Sequence, residues 1–335
     1  MQQFHFLSDL GKVSLPTKVE IETLEAKNKE LVFLILDSSV SLEIANLTKH
    51  RKRAKVEKNA IFHLIEYIQK NSVKQTPIFA LTELCYDRGT YDILEDKLWD
   101  IKNRLDFAFQ YPIKRFKRLD FDYDTEYYIF DKPELLSRSI SSFTENLNMY
   151  YAGLLKIRQI ADNGLKKEQA EKNIELFIDW MTTELGVILG LEYSLALEIF
   201  GGNSNLRSMI KLGSAKEKSL KGILGTAWDL FHARMSCNRP QLSEMVGQNV
   251  YPIFVTKDLG LFELMAPHVE HLIRYDSTKM TITTENNYPP HYSKSFMDYL
   301  NEKMLRIGIE RVGIERTYDS DKMNKLIKEL EENLT

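Results

Sequence analysis

The sequence has few cysteines and no long hydrophobic run. Its 335 residues include two cysteines, Cys85 and Cys237, which indicates a reducing cytoplasm and excludes a disulfide framework. Two thiols with no histidine pair beside them are also too few for a zinc site of their own. No apolar run approaches the roughly 20 residues of a membrane span, and the N-terminal MQQFHFLSDLGKV lacks the features of a secretory signal. We therefore expect a cytoplasmic protein that does not bind membranes.

The sequence also lacks an excess of positive charge. The net charge is -3, so no overall basic field indicates nucleic-acid binding. Basic residues cluster in KHRKRAKVEK (49–58) and in IKRFKR (113–118), which the acidic LDFDYDTE (119–126) follows. Such runs are most often solvated helix faces, and phosphate binding is the alternative. The hydrophobic fraction of 43% and the charged fraction of 28% are ordinary for a globular protein of one or two domains.

The order of the elements predicts an α/β fold. LVFLIL (31–36), YPIFVT (251–256) and VEHLIRY (269–275) are short apolar runs typical of buried strands. Apolar residues at helical spacing predict helices between them. Strands that alternate with helices indicate a central parallel sheet flanked by helices. The predicted helices cover 43–70, the segment after Pro77, 91–109, 133–161, 166–188, 190–200, 214–236, a short piece ending near 266, and two segments after 276.

Two acidic residues follow predicted strands directly. Asp37 comes after LVFLIL, and Asp258 comes two residues after YPIFVT. Ligands of parallel α/β sheets bind beyond the carboxyl ends of the strands, so both carboxylates are expected in the same crevice. The alternative for each residue is a helix N-cap, because aspartate is a preferred capping residue. One carboxylate can serve both purposes through its two oxygens.

Two further acids lie in apolar surroundings. Glu83 lies in ALTELCYD and Asp229 in GTAWDLFHARM. Buried carboxylates are costly unless they are paired, hydrogen-bonded or bound to a metal. A surface position for Glu83 and an ion pair of Asp229 with Arg234 or His232 are the alternatives. A lone histidine is more often structural than a ligand, so His232 is not predicted to bind metal. Four such acids favour Mg²⁺ or Mn²⁺, since these ions prefer carboxylate oxygens.

The four motifs in this order resemble the acidic motifs of PIN-like domain nucleases. They are LILDSSV, ALTELCYD, AWDLFHARM and VTKDLGLFEL. The resemblance implies that Asp37, Glu83, Asp229 and Asp258 are both the metal ligands and the catalytic residues. It implies a PIN-like core over 31–95 and 214–275, enlarged by a helical insertion over 96–213. Residues 1–30 and 276–335 are then terminal extensions.

The resemblance further implies a Mg²⁺- or Mn²⁺-dependent endoribonuclease that takes part in RNA turnover or acts as a toxin or defence effector. The substrate is RNA or another single-stranded nucleic acid. We expect substrate contacts at the hydroxyls and basic groups near the acids; each has a cap, a surface position or a solvated face as its alternative. These residues are Ser38, Arg51, Lys52, Arg53, Thr256 and Lys257.

Two other functions fit the same residues. The acids alone do not separate an RNA nuclease from a DNA nuclease or a phosphatase, because the metal contacts only a phosphate. A non-catalytic PIN-like scaffold protein is the third hypothesis. The long helices of 133–200 suit a dimer interface, a lid or a packed bundle, so a homodimer and an inhibitory or activating protein partner both remain open.

Overall fold

A five-stranded mixed sheet forms the centre of the α/β part of the chain. The computed structural model describes residues 4–9, 11–49, 58–87, 92–121, 123, 144–266, 270–274, 280–284, 289–311 and 318–334. The strand order is β2-β1-β5-β3-β4. β3 pairs in parallel with β4 and β5, whereas β1 pairs antiparallel with β5 and β2. The strands are β1 (His5–Ser8), β2 (Gly11–Lys12), β3 (Leu31–Leu36), β4 (Lys74–Thr76) and β5 (Val250–Thr256).

β3 is the predicted strand LVFLIL, and its bounds are confirmed. It lies between two parallel neighbours, where side chains of both faces are covered, which explains the unbroken aliphatic run. The register pairs Leu36 with Val255, and the Asp37 N–H donates to the Val255 carbonyl at 3.0 Å. β3 and β5 therefore end at the same height, and the residues that follow them leave the sheet at one edge.

Helices flank this sheet and share its core. Leu34, Leu36 and Val255 of the strands pack in one cluster with Ile44 and Leu105 of the helices. The helices of this part are α1 (Lys18–Thr23), α2 (Ser38–Leu47), α3 (Lys58–Asn71), α4 (Ile78–Cys85), α5 (Glu95–Gln110) and α6 (Ile113–Arg118). The structure thus divides the predicted 43–70 helix into α2 and α3.

The chain forms two compact units. The first comprises Met1–Ser142 with His232–Thr284, and the second comprises Phe143–Phe231 with Glu285–Thr335. The described residues from 96 to 123 accordingly belong with the sheet, and those from 289 to 334 belong with the helical unit. Both assignments differ from the predicted boundaries of the insertion and the C-terminal extension.

The second unit is helical throughout its described residues. Its C-terminal helix packs on its first helix, where the Tyr151 hydroxyl donates to Glu331 at 2.8 Å. The predicted helix 190–200 is confirmed. The helices are α7 (Thr144–Asp162), α8 (Ala170–Trp180), α9 (Gly190–Phe200), α10 (Lys216–Cys237, shared with the first unit), α13 (Lys294–Glu310) and α14 (Ser320–Glu332). The first unit continues with α11 (Arg239–Val246) and α12 (Leu259–Met265).

Three strand predictions need correction. Residues 1–30 were expected as an extension, but β1 and β2 continue the sheet beyond β5. The third predicted strand is β6 (Glu270–Arg274), which pairs antiparallel with β7 (Met280–Thr284) in a separate two-stranded sheet. β4 (Lys74–Thr76) was not predicted as a strand, because three polar residues carry no strand pattern.

None of the described helices combines the length and the apolar character that crossing a bilayer requires.

Candidate metal centre

The first acidic residue after the central strand is buried, and hydrogen bonds hold both oxygens of its carboxylate. Asp37 is 2% exposed and is the N-cap of α2. Its Oδ1 accepts the Ser38 N–H at 2.7 Å. Its Oδ2 accepts the hydroxyls of Ser39 at 3.0 Å and Thr256 at 2.8 Å. The capping alternative therefore holds for Asp37, and the same contacts fix its carboxylate in one orientation at the sheet edge.

Two other potential ligands meet Asp37. Ligand atoms of Asp37, Glu83 and His232 all lie within 4.8 Å of one another. The Nδ1 of His232 is 3.8 Å from Asp37 Oδ1 and 3.7 Å from Glu83 Oε2. His232 is fully buried, and the Glu83 side chain is 20% exposed. Helices α4 and α10 thus bring a carboxylate and an imidazole to the carboxyl end of β3.

The two carboxyl groups differ in proton affinity. Burial raises the pKa of Asp37, but the imidazole of His232 and the hydroxyls of Thr256 and Ser39 outweigh it, so the pKa lies below its ordinary value. Burial raises the pKa of Glu83 above its ordinary value, and the nearby charge of Asp37 adds to this effect. The charge of His232 and a hydrogen bond from the Ser38 side chain oppose the increase at Glu83, but they do not outweigh burial.

Asp258, the acid that follows β5, caps a helix. Asp258 is the N-cap of α12, and its Oδ1 accepts the Leu261 N–H at 2.6 Å. The Thr256 hydroxyl links the two strand ends, since it donates to Asp37 and accepts the Asp258 N–H at 3.0 Å. Among the residues that the structure describes, the group of close ligand atoms does not include Asp258. Its role as a ligand stays a prediction.

The fourth predicted acid lies on the same helix as the histidine. Asp229 is partly buried on α10, three residues before His232. Asp229 is likewise outside the group found among the described residues. Sequence reasoning instead treated His232 as structural. A signal was available, because a histidine at this spacing from a predicted ligand lies on the same helix face, but nothing local connected it to Asp37.

The predicted substrate-binding residues are less accessible than expected. Ser38 is 9% exposed, and Thr256 is fully buried as a donor to Asp37. Lys257 forms an ion pair with Glu43 at 2.5 Å, and its side chain is 7% exposed. Ser38 and Thr256 thus contact Asp37, whereas Lys257 is paired with Glu43. Their contact with a substrate stays a prediction. Arg51, Lys52 and Arg53 lie outside the described residues.

A scan against protein-family models, a search of curated proteins and a search of solved structures each found no match to this chain. The resemblance to PIN-like nucleases consequently rests on the motifs alone.

The donor set suits a divalent ion. Two atoms bound to one ion at about 2.1 Å are separated by at most about 4.2 Å, so the group needs only small side-chain movements to close around a cation. Carboxylate oxygens suit Mg²⁺ and Mn²⁺, and an imidazole nitrogen favours Mn²⁺ of the two. The buried Glu83 Oε2, which accepts no hydrogen bond from the described residues, would gain a partner. The residues present therefore fit the implied metal.

Proposed function

We propose that the protein is a metal-dependent nuclease that hydrolyses phosphodiester bonds, with RNA as its substrate. The observation that carries this proposal is the convergence of Asp37, Glu83 and His232 at the carboxyl ends of parallel strands. This is the edge where open α/β sheets bind their ligands. The resemblance of four ordered motifs to PIN-like nucleases supports the choice of RNA and of Mg²⁺ or Mn²⁺.

In this proposal each side chain has a defined task. Asp37 binds the cation through a carboxylate whose orientation is set by Ser38, Ser39 and Thr256. Glu83 and His232 complete the protein ligands from two helices. A cation held by these residues would supply an activated water and neutralise charge on the phosphodiester. Hydrolysis would join the water oxygen to phosphorus, break the bond to the leaving oxygen and give a phosphate monoester and an alcohol.

The decisive experiment compares Asp37 with an exposed acid of the same unit. Purified protein is incubated with Mn²⁺ and single-stranded RNA, single-stranded DNA or duplexes. We expect Asp37→Asn to reduce RNA cleavage by about 100-fold or more, as loss of a preorganised electrostatic group does. Asp120→Asn is the matched control, because Asp120 is exposed. Equal cleavage by wild type and Asp37→Asn would refute the proposal, and cleavage of DNA alone would change the substrate.

A separate variant, Asp258→Asn, decides the role of Asp258. Its carboxylate caps α12, and it lies outside the group of close ligand atoms among the described residues. We therefore expect Asp258→Asn to bind Mn²⁺ within about threefold of wild type, since a cap is preserved. A loss of Mn²⁺ affinity above about tenfold, measured by calorimetry, would place Asp258 among the ligands.

A non-catalytic scaffold is the second candidate function. It is favoured by the 3.8 Å separation of His232 Nδ1 and Asp37 Oδ1, at which a protonated imidazole forms an ion pair. Such an ion pair compensates the negative charge of the buried Asp37 carboxylate without a metal. Calorimetric titration separates the two candidates. Absence of both Mn²⁺ and Mg²⁺ binding by wild type would favour the scaffold.

The larger biological role follows from the resemblance only. We propose RNA turnover or growth arrest by a toxin or defence effector, restrained or activated by a protein partner. Expression of wild type and Asp37→Asn in a bacterial host tests growth arrest, because only a catalytic toxin would lose its effect through this substitution.

A further inference from the structure

Helix α6 of the first unit carries a cluster of basic residues. Residues 113–118 contain four basic residues and no acid, and the acidic run 119–126 follows them. Helix α6 exposes all four basic side chains and buries Phe116 between them. The four are Lys114, Arg115, Lys117 and Arg118.

The basic helix is firmly anchored to the protein. The Phe116 ring stacks on Phe121 at 5.2 Å and meets Phe62 of α3 edge-on at 6.1 Å. The turn before α6 is held by Gln69, which donates to the carbonyls of Phe109 and Tyr111 and accepts the N–H of Ile113 at 3.2 Å. These contacts hold the exposed charges on a fixed scaffold, which lowers the entropic cost of binding a partner.

Helix α3 continues the positive surface. His63 and Lys70 are exposed on it, and Glu66 lies between them and pairs with Lys117 at 2.6 Å. The hydrogen bond from Lys117 lowers the pKa of Glu66, and the charges of His63 and Lys70 lower it further. The Glu66 carboxylate is therefore close to three basic side chains, those of Lys117, His63 and Lys70.

The surface also carries a cation–π contact. The Arg115 guanidinium lies 5.1 Å from the centre of the Tyr111 ring. Basic side chains beside aromatic rings are a feature of proteins that hold single-stranded nucleic acid.

The two helices lie side by side in opposite directions. Ile113 contacts Gln69 near the end of α3, whereas Phe116 contacts Phe62 near its start. The basic side chains of α6 therefore lie along the exposed face of α3.

We propose that α6 and the exposed face of α3 bind the phosphate backbone of single-stranded nucleic acid. The nature of the anionic polymer rests on the proposed function, whereas the binding surface rests on the exposed basic residues. Lys114, Arg115 and Arg118, which are exposed on α6, are the residues that contact phosphate in this arrangement.

The test measures binding in the absence of divalent metal, so that cleavage does not interfere. Fluorescence anisotropy follows labelled oligo(rU) and oligo(dT) of about 20 nucleotides. The variant is Lys114→Ala/Arg115→Ala/Arg118→Ala. The matched control removes three exposed lysines of the helical unit, Lys166→Ala/Lys167→Ala/Lys172→Ala. Both variants lose the same charge.

We expect the α6 variant to bind about 10-fold or more weakly, and its log–log salt slope to fall by about 2, since each lost contact removes about 0.7 for a single strand. The control should bind within about twofold of wild type. Equal weakening of both variants, or no salt-dependent binding by wild type, would overturn the proposal. The proposal would also be overturned if the α6 variant lost binding to phosphatidylserine-containing vesicles but bound the oligonucleotides as wild type does. That result would assign the surface to membranes.

The two proposals fail separately. If the α6 variant binds as wild type does while Asp37→Asn abolishes cleavage, the nuclease stands and the binding surface is wrong. If the α6 variant loses binding while Asp37→Asn cleaves normally, the surface stands and the metal centre is wrong.

Discussion

Arg158 is a buried charge whose hydrogen bonds hold the helical unit together. It is 2% exposed, and its Nε donates to Asp162 at 2.7 Å. Its Nη1 donates to the Lys211 carbonyl and to the Ser219 hydroxyl. The guanidinium thereby joins α7 to Lys211, which precedes α10, and to Ser219 near the start of α10. Removing it leaves buried acceptors without donors.

We predict that Arg158→Ala lowers the free energy of unfolding by roughly 3 kcal/mol, the usual effect of removing one partner of a buried pair. Arg306→Ala is the control, because Arg306 is exposed on α13, and a surface substitution changes stability by about 0.5 kcal/mol or less. Urea unfolding followed by circular dichroism gives both values. A similar small change for the two variants would contradict the assigned role of Arg158.

The two cysteines should differ in reactivity. Cys85 is fully buried on α4, and burial raises the pKa of its thiol to about 11. Cys237 is partly exposed. Since the thiolate is the reactive form, we predict that iodoacetamide modifies Cys237 at least about 10-fold faster near neutral pH. Mass spectrometry of the modified peptides measures the ratio, and Cys237→Ser leaves only the slow thiol.

The same raised pKa has a consequence for stability. The folded state favours the protonated Cys85, so its contribution is complete below the ordinary thiol pKa of 9.0 and is lost as the pH rises toward about 11. Cys85→Ala should show a smaller loss of stability across this range than wild type does. If wild type and Cys85→Ala lost the same free energy of unfolding between pH 9 and 11, the raised pKa of Cys85 would be refuted.

Among the elements, the N-terminal strand has the largest role that its sequence did not reveal. Leu7 of β1 is fully buried and lies opposite Phe254 of β5. We predict that Leu7→Ala lowers the free energy of unfolding by roughly 2–5 kcal/mol, the range for a buried leucine. Val19→Ala, at a side chain that is 69% exposed, should change little. Comparable unfolding midpoints for the two variants would argue against the strand's place in the core.

Elements with a strong local pattern were predictable from the sequence. β3 and the helix 190–200 have the bounds that their hydrophobic spacing predicts. β4 has three residues, Lys74 to Thr76, and forms its hydrogen bonds at a sheet edge, where no apolar alternation is needed. β1 forms a strand because it pairs with β5, which lies about 250 residues later in the chain. Such pairing depends on the tertiary fold and leaves no local signature.

The candidate metal centre shows the same division. Asp37 was predictable, because the change from an aliphatic run to a carboxylate marks a strand end. Glu83 was predictable from its apolar surroundings, and the structure brings it to Asp37. The place of His232 was not, since 195 residues separate it from Asp37 and a histidine in an apolar helix is compatible with several roles.

For the whole molecule, the proposed metal centre predicts stabilisation by ligand. A cation that binds only the folded state at about 100 times its Kd raises the free energy of unfolding by about 2.7 kcal/mol. We predict such a rise with Mn²⁺ and a smaller one with Mg²⁺, because His232 supplies a nitrogen donor. Thermal unfolding measures both, without reference to activity.

Asp37→Asn should abolish this stabilisation. Asp120→Asn is the matched control, since Asp120 is an exposed acid of the same unit, and it should retain the full effect. Identical Mn²⁺-dependent shifts in wild type and Asp37→Asn would show that the ion binds elsewhere.

The Thr256 hydroxyl has a consequence for how Asp37 meets any ligand. It donates to Asp37 Oδ2, while the Ser38 N–H holds Oδ1. The carboxylate has therefore lost its rotational freedom during folding, and a ligand does not have to restrict it again. In Thr256→Val, the side chain of Asp37 would explore several rotamers. Ligand binding would then carry a larger entropic penalty, although the ligand atoms of Asp37, Glu83 and His232 are unchanged.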